Sequence, residues 1–139
     1  RELRARYEVA VETYNKTINV EGQLMVLMSN RYILPAALEY QKRVAESVAA
    51  VKAAGGASKE AKKLLDRLTA LIDQFRGRTD ALEKVLDHHD ADPAKHSTFM
   101  RDKVCTSMAS LRETGDRLEL LIPHHIWPLP TYREMLFIK

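Results

Sequence analysis

The densest set of chemistry-bearing side chains is His88-His89-Asp90-Ala91-Asp92, with His96 about one helical turn further on. Imidazoles and carboxylates this close in sequence can ligate zinc or nickel. Their spacing matches no closed structural site, and adjacent histidines on a loop often point apart. The same residues also read as an exposed interhelix turn, with His88 near a helix C-terminus, where it suits the macrodipole, and Asp92 as a cap. A weak metal-binding bundle through His88, His89, Asp92 and His96 therefore stands as one alternative. The pair His124-His125 is equally open.

Other chemistry is absent from the pattern. No Gly-rich loop precedes a helix, so no phosphate cradle is visible. There is no Gly-x-Ser-x-Gly, no His-Glu-x-x-His and no cysteine pair for zinc. Cys105 is the single cysteine, which excludes an intramolecular disulfide framework and fits a reducing, cytoplasmic setting. It lies beside an apolar helical stripe, where a lone cysteine acts as a small hydrophobe. The 22 basic and 19 acidic residues are interleaved, giving +3 with histidines neutral. Arg1, Arg4, Arg6 and Lys16 alternate with Glu2, Glu8 and Glu12, and no basic face with stacking aromatics emerges. Nucleic acid is not an expected partner. No apolar run of about 18 residues exists, so no membrane span is expected.

The elements around these residues are helical. The chain has 139 residues, enough for one core, and 45% of them are apolar with only five Gly and five Pro. Ala61, Leu65, Leu68, Ile72, Phe75, Thr79, Leu82 and Leu86 step by four and three, which predicts one buried stripe on a helix over about 58–88. Gly55-Gly56 ends the helix before it, and Ser58 can cap it. Asp92 and Pro93 open another helix over about 93–122, with Ser97, Met100, Val104, Met108, Leu111, Gly115, Leu118 and Ile122 facing inward. Gly115 costs about 1 kcal/mol against Ala in a helix, which a close helix crossing could offset. Gly77 either shares that role or lies exposed.

The first helix is longer, about 1–54. Tyr7, Val11, Tyr14, Ile18, Met25, Met28 and Tyr32 share one face, and Val20, Leu24 and Leu27 form a second. Around Leu24–Met28 the helix is apolar all round and should be buried on several sides. Pro35 interrupts it, and Ala37, Gln41, Val44, Val48 and Val51 resume the pattern. The fold expected is all-α: an antiparallel bundle of three long helices, the first kinked near Pro35, or four helices if it breaks there. At 1.5 Å per residue the first helix spans about 80 Å and the others about 45 Å each. Part of it must be covered by the tail, another domain or another chain.

The tail, 123–139, holds three prolines within eight residues and is apolar. It should dock on a surface: its own bundle, a neighbouring domain or a subunit. The interface candidates are Leu24, Met25, Leu27, Met28, Trp127, Leu129, Tyr132, Met135 and Phe137. No catalytic, cofactor-binding or metal-binding residue is assigned.

Two stretches, taken together, carry a resemblance. Tyr14-Asn15-Lys16-Thr17-Ile18-Asn19-Val20-Glu21 is followed by Ile33-Leu34-Pro35-Ala36. The chain closes with Trp127-Pro128-Leu129-Pro130-Thr131-Tyr132-Arg133-Glu134-Met135-Leu136-Phe137. Between them lie Met108-Ala109-Ser110-Leu111-Arg112 and Asp116-Arg117-Leu118-Glu119. This order is similar to the C-terminal region of type III glutamine synthetases, along essentially the whole chain. The resemblance implies a single helical domain, 1–139, that is a C-terminal fragment of a longer enzyme. It implies a parent that ligates ammonia to glutamate with ATP and Mg or Mn, held in an upstream catalytic domain. The fragment itself implies no catalytic residue and no cofactor. Its implied partners are that catalytic domain and neighbouring subunits of a homo-oligomer, and its implied role is assembly or stability. An independent helical interaction module is the remaining alternative.

Overall fold

A computed structural model describes residues 2–130 and 132–136. Among them every regular element is helical: α1 (Glu2–Met28), a π-helical turn (Ser29–Ile33), α2 (Leu34–Ala53), α3 (Lys59–Leu86), α4 (Pro93–Phe99), a second π turn (Met100–Val104), α5 (Cys105–Glu119) and the short α6 (Tyr132–Leu136). The all-α bundle expected from the periodicity is present. Consecutive elements join into three long helical segments. None of the described helices is long and apolar enough to cross a membrane.

The first segment does not break at Pro35. That proline occupies the first turn of α2, where its missing N–H matters least. The π turn lies immediately before it. A π turn carries one residue more per turn than the α-helix and takes up the local mismatch. The buried positions record that extra residue. Asn15, Gly22 and Ser29 are spaced by seven, Ala37 and Val44 by seven, but Ser29 and Ala37 by eight.

The helix ends follow local chemistry. Gly55 has a φ of 78°, the left-handed conformation that glycine adopts without penalty. Its N–H bonds the Lys52 carbonyl at 3.1 Å, and the Gly56 N–H bonds the Val51 carbonyl at 3.0 Å. That pair of bonds is the Schellman closure of α2. The Ser58 carbonyl accepts the Lys62 N–H at 3.1 Å as α3 starts. Asp92 caps α4, its Oδ1 accepting the Ala94 N–H at 3.0 Å, with Pro93 in the first turn. Past α5, the Pro123 carbonyl accepts from Ile126 and Trp127, which folds the start of the tail into a turn.

Two compact units share these segments: Arg1–Ser29 with Gly77–Glu113, and Asn30–Arg76 with Thr114–Lys139. In the first, Thr79, Leu82, Leu86, Met100, Val104 and Leu111 form the core. In the second, Ala37, Val44, Leu68, Leu71, Ile72, Phe75, Leu118, Ile122 and Trp127 do so. The inward stripes read from α3 and from 97–122 match these cores closely. Gly77 has open space where a Cβ would stand, so it lies exposed. A Cβ at Gly115 would meet Phe75 at 3.6 Å, an ordinary contact.

Helix α1 departs from expectation. Tyr7, Tyr14 and Tyr32 are exposed, and the buried row is Asn15, Gly22 and Ser29. Small and polar residues face inward, and the apolar ones lie to the side or outward. Leu24 and Leu27, expected to be buried, are 51% and 42% exposed. A Cβ on Gly22 would stand 2.7 Å from Leu86 Cδ2, so the Leu86 side chain would have to shift to admit one.

Candidate functional site

The histidine turn is placed by the end of α3 and the cap of α4. The His88 ring packs on Phe99, with centroids 4.0 Å apart. His96 lies 6.4 Å from both His88 and His89, centroid to centroid. Asp92 spends its carboxylate on the α4 cap, and Asp90 Oδ1 accepts the Asp92 N–H at 3.0 Å. Among the described residues, no three His, Cys, Asp or Glu side chains form a group that could hold a metal ion. The carboxylates serve the turn, and one imidazole packs on an aromatic ring.

Beside that turn lies a groove of about 240 Å³. Glu12, Asn15, Lys16 and Asn19 of α1 line one wall, with His89, Asp90, Pro93, His96 and Met100 opposite. Asn15 ties the two walls together: its Nδ2 donates to the Pro93 carbonyl at 3.0 Å. The other end of that amide, Oδ1, is buried with no hydrogen-bond partner, and so is His96 Nδ1. At the rim, Lys16 Nζ sits 2.8 Å from Glu12 Oε1. The hydrogen bond and charge of Lys16 hold the Glu12 carboxyl below its ordinary range, against a smaller opposing desolvation. Neither Asn15 nor Asn19 stands out as a site residue in the sequence pattern. The available signal was an asparagine inside a helix, where its side chain competes with the backbone and is disfavoured.

Nearby, the Tyr14 hydroxyl lies 3.9 Å from Cys105 Sγ. Desolvation, then the hydrogen bond to that thiol, pushes the Tyr14 phenol above its usual range.

The interface candidates fall into two groups. On α1, Leu24 and Leu27 are exposed, and Met25 and Met28 are half-buried. In the tail, Trp127 is only 9% exposed, Leu129 is half-buried and Met135 is exposed. Trp127 Nε1 is buried with no partner. Tyr132 opens α6, and His124 Nε2 meets Glu134 Oε1 of that helix at 3.1 Å. Phe137 lies outside the described residues. Trp127 is thus already covered by its own chain, whereas the α1 leucines and Met135 are open.

Comparison with known proteins adds a different kind of observation. Residues 1–52 match the family model of the glutamine synthetase C-terminal domain. The chain is 30% identical over 148 residues to a glutamine synthetase of Bacteroides fragilis, an alignment covering 99% of this chain and 20% of that protein. It is 29% identical over 150 residues to the type-3 glutamine synthetase of Dictyostelium discoideum, covering 99% and 20%. A glutamine synthetase of Butyrivibrio fibrisolvens is 26% identical over 152 residues, covering 98% and 20%. The chain spans about a fifth of the length of the curated relatives it matches.

Proposed function

We propose that this chain, which carries a glutamine synthetase C-terminal domain of the type III kind, is a non-catalytic helical part of such an enzyme and supports its assembly or stability. The parent would ligate ammonia to glutamate, using ATP and Mg or Mn. No described group of three His, Cys, Asp or Glu residues could hold that divalent ion. We assign the chemistry to the rest of the parent.

The observation that carries the assembly role is the uncovered apolar face of α1. Leu24 and Leu27 are exposed, with Met25 and Met28 half-buried beside them. Apolar area removed from water contributes about 25 cal/mol per Å², so two leucines and two methionines are a useful anchor for a larger body. The occupant we assign is another part of the same enzyme, its catalytic domain or a neighbouring subunit. Met135 adds a smaller apolar point.

Hydroxyl-radical footprinting tests this directly. Leu24, Met25, Leu27 and Met28 are expected to be oxidised readily in the 139-residue chain and protected in the intact parent enzyme. Equal oxidation in both would overturn the proposal, because the face would then be free in the assembled protein.

A further inference from the structure

We propose that the outer face of α1 pairs in parallel with the same face of a second copy of this chain. The inference rests on the assembly role proposed above and names the occupant of that face. The inner row of α1 and the π turn after it, Asn15, Gly22 and Ser29, keeps a strict seven-residue spacing. With that row as position f of a heptad, Ala10, Thr17 and Leu24 fall at a, and Thr13, Val20 and Leu27 at d. A seam at a and d lies on the side of the helix opposite f. All six of its residues are exposed, Val20 by 54%. The seam holds no charge from Ala10 to Leu27, whereas a solvated helix face is ordinarily polar or charged. It is bounded at both ends. Arg6, the preceding d position, is engaged by Glu2 at 2.6 Å, and the π turn shifts the register after Met28.

The flanking residues select the partner and its direction. In a parallel pair each g residue faces the e residue five positions later on the partner helix. Here the g positions are Val9, Lys16 and Gln23, and the e positions they reach are Tyr14, Glu21 and Met28. Lys16 therefore meets Glu21 of the second copy, and the two-fold symmetry repeats that ion pair. Val9 meets Tyr14, both of them exposed. An antiparallel pair sets g against g and e against e. Lys16 then reaches only Val9, Lys16 or Gln23, and Glu21 only Tyr14, Glu21 or Met28. That direction gains no ion pair, so charge complementarity favours the parallel one.

Within its own helix Lys16 sits 2.8 Å from Glu12, and both side chains are largely exposed. Exposed pairs of this kind contribute little, so Lys16 exchanges one carboxylate for the other at small cost. Ala10, Thr13 and Thr17 bury less apolar area than leucine, which makes the pair weak by itself. A weak contact of this kind is strengthened when other parts of a larger enzyme hold the two copies close together.

The test uses the 139-residue chain carrying Cys105→Ala, so that an introduced cysteine is the sole thiol. Thr17→Cys and Leu24→Cys each place a thiol at an a position. In a parallel pair both face their own counterparts across the seam, within disulfide reach. An antiparallel pair brings at most one of them to its counterpart. Under mild oxidation both variants are expected to give a disulfide-linked dimer, about tenfold faster than the off-seam control Glu12→Cys. In the Leu24→Cys chain, Lys16→Glu should slow cross-linking about threefold, and adding Glu21→Lys should restore it. A cross-link at only one seam position, rates no faster than that of Glu12→Cys, or a charge swap that restores nothing would each overturn the pairing. If the pairing fails while Leu24 and Leu27 are protected from oxidation in the parent, a different occupant covers the face and the assembly role stands. If those residues are oxidised equally in both forms, the assembly role fails with it.

Discussion

Replacing Phe75 by Ala lowers the stability of the chain by about 3–5 kcal/mol. Phe75 is among the largest fully buried side chains, 1% exposed, and it shares its unit's core with Leu68, Leu71, Ile72 and Leu118. Its ring lies 3.6 Å from where a Cβ on Gly115 would stand, so the backbone of α5 packs against it. Truncation removes the transfer free energy of the ring and leaves a cavity that helices cannot fully close. Phe75→Leu keeps most of the volume and should cost under about 1.5 kcal/mol. Urea unfolding measures both, with a shifted midpoint at an unchanged slope. A loss below about 1 kcal/mol for Phe75→Ala would mean the ring is not a core element.

Gly22→Leu destabilises the other unit by about 1–3 kcal/mol, by overpacking and not by cavity formation. A Cβ at Gly22 would stand 2.7 Å from Leu86 Cδ2 and 3.3 Å from Cδ1. Leu86 is itself buried, so it has little room to retreat. Gly22→Ala should lie nearer balance, because its clash is opposed by about 1 kcal/mol of helix propensity. Leu86→Ala in the Gly22→Leu background makes space and should recover part of the loss. That recovery, read in a double-mutant cycle, isolates the contact. Gly22→Leu as stable as the unsubstituted chain would show that α1 does not approach Leu86 this closely.

These two sites differ in how well the sequence announced them. Phe75 belongs to a stripe of large apolar residues at helical spacing, and large apolar side chains at that period are nearly always inward. Leu82, Leu111 and Leu118 were legible for the same reason. Gly22 was not. The buried row of α1 and the π turn that follows it is Asn15, Gly22 and Ser29, which no hydrophobicity pattern selects. Close backbone approach favours small residues there and leaves the tyrosines and leucines of the same helix on its outer sides. A kink at Pro35 was legible, but the π turn that accommodates it was not. Its trace is the eight-residue step from Ser29 to Ala37, visible only once burial is known.

The candidate sites divide similarly. The cap at Asp92-Pro93 follows from local chemistry and was readable. The packing of His88 on Phe99 and the bond from Asn15 to Pro93 join residues far apart in sequence. Local spacing carries no information about such pairs. Trp127 looked like an interface anchor from its apolar surroundings, yet the turn at Pro123 sets it against its own chain.

We propose above that the outer face of α1 is an assembly contact of a glutamine synthetase parent, and here take its occupant to be a neighbouring subunit. Light scattering on the parent enzyme carrying Leu24→Glu with Leu27→Glu tests it most directly. Both positions are exposed in the 139-residue chain, so its own melting should change little, by about 0.5 kcal/mol or less per site. The account predicts that the substituted parent falls to a smaller mass than the unsubstituted enzyme. A parent of unchanged mass and unchanged turnover would contradict it.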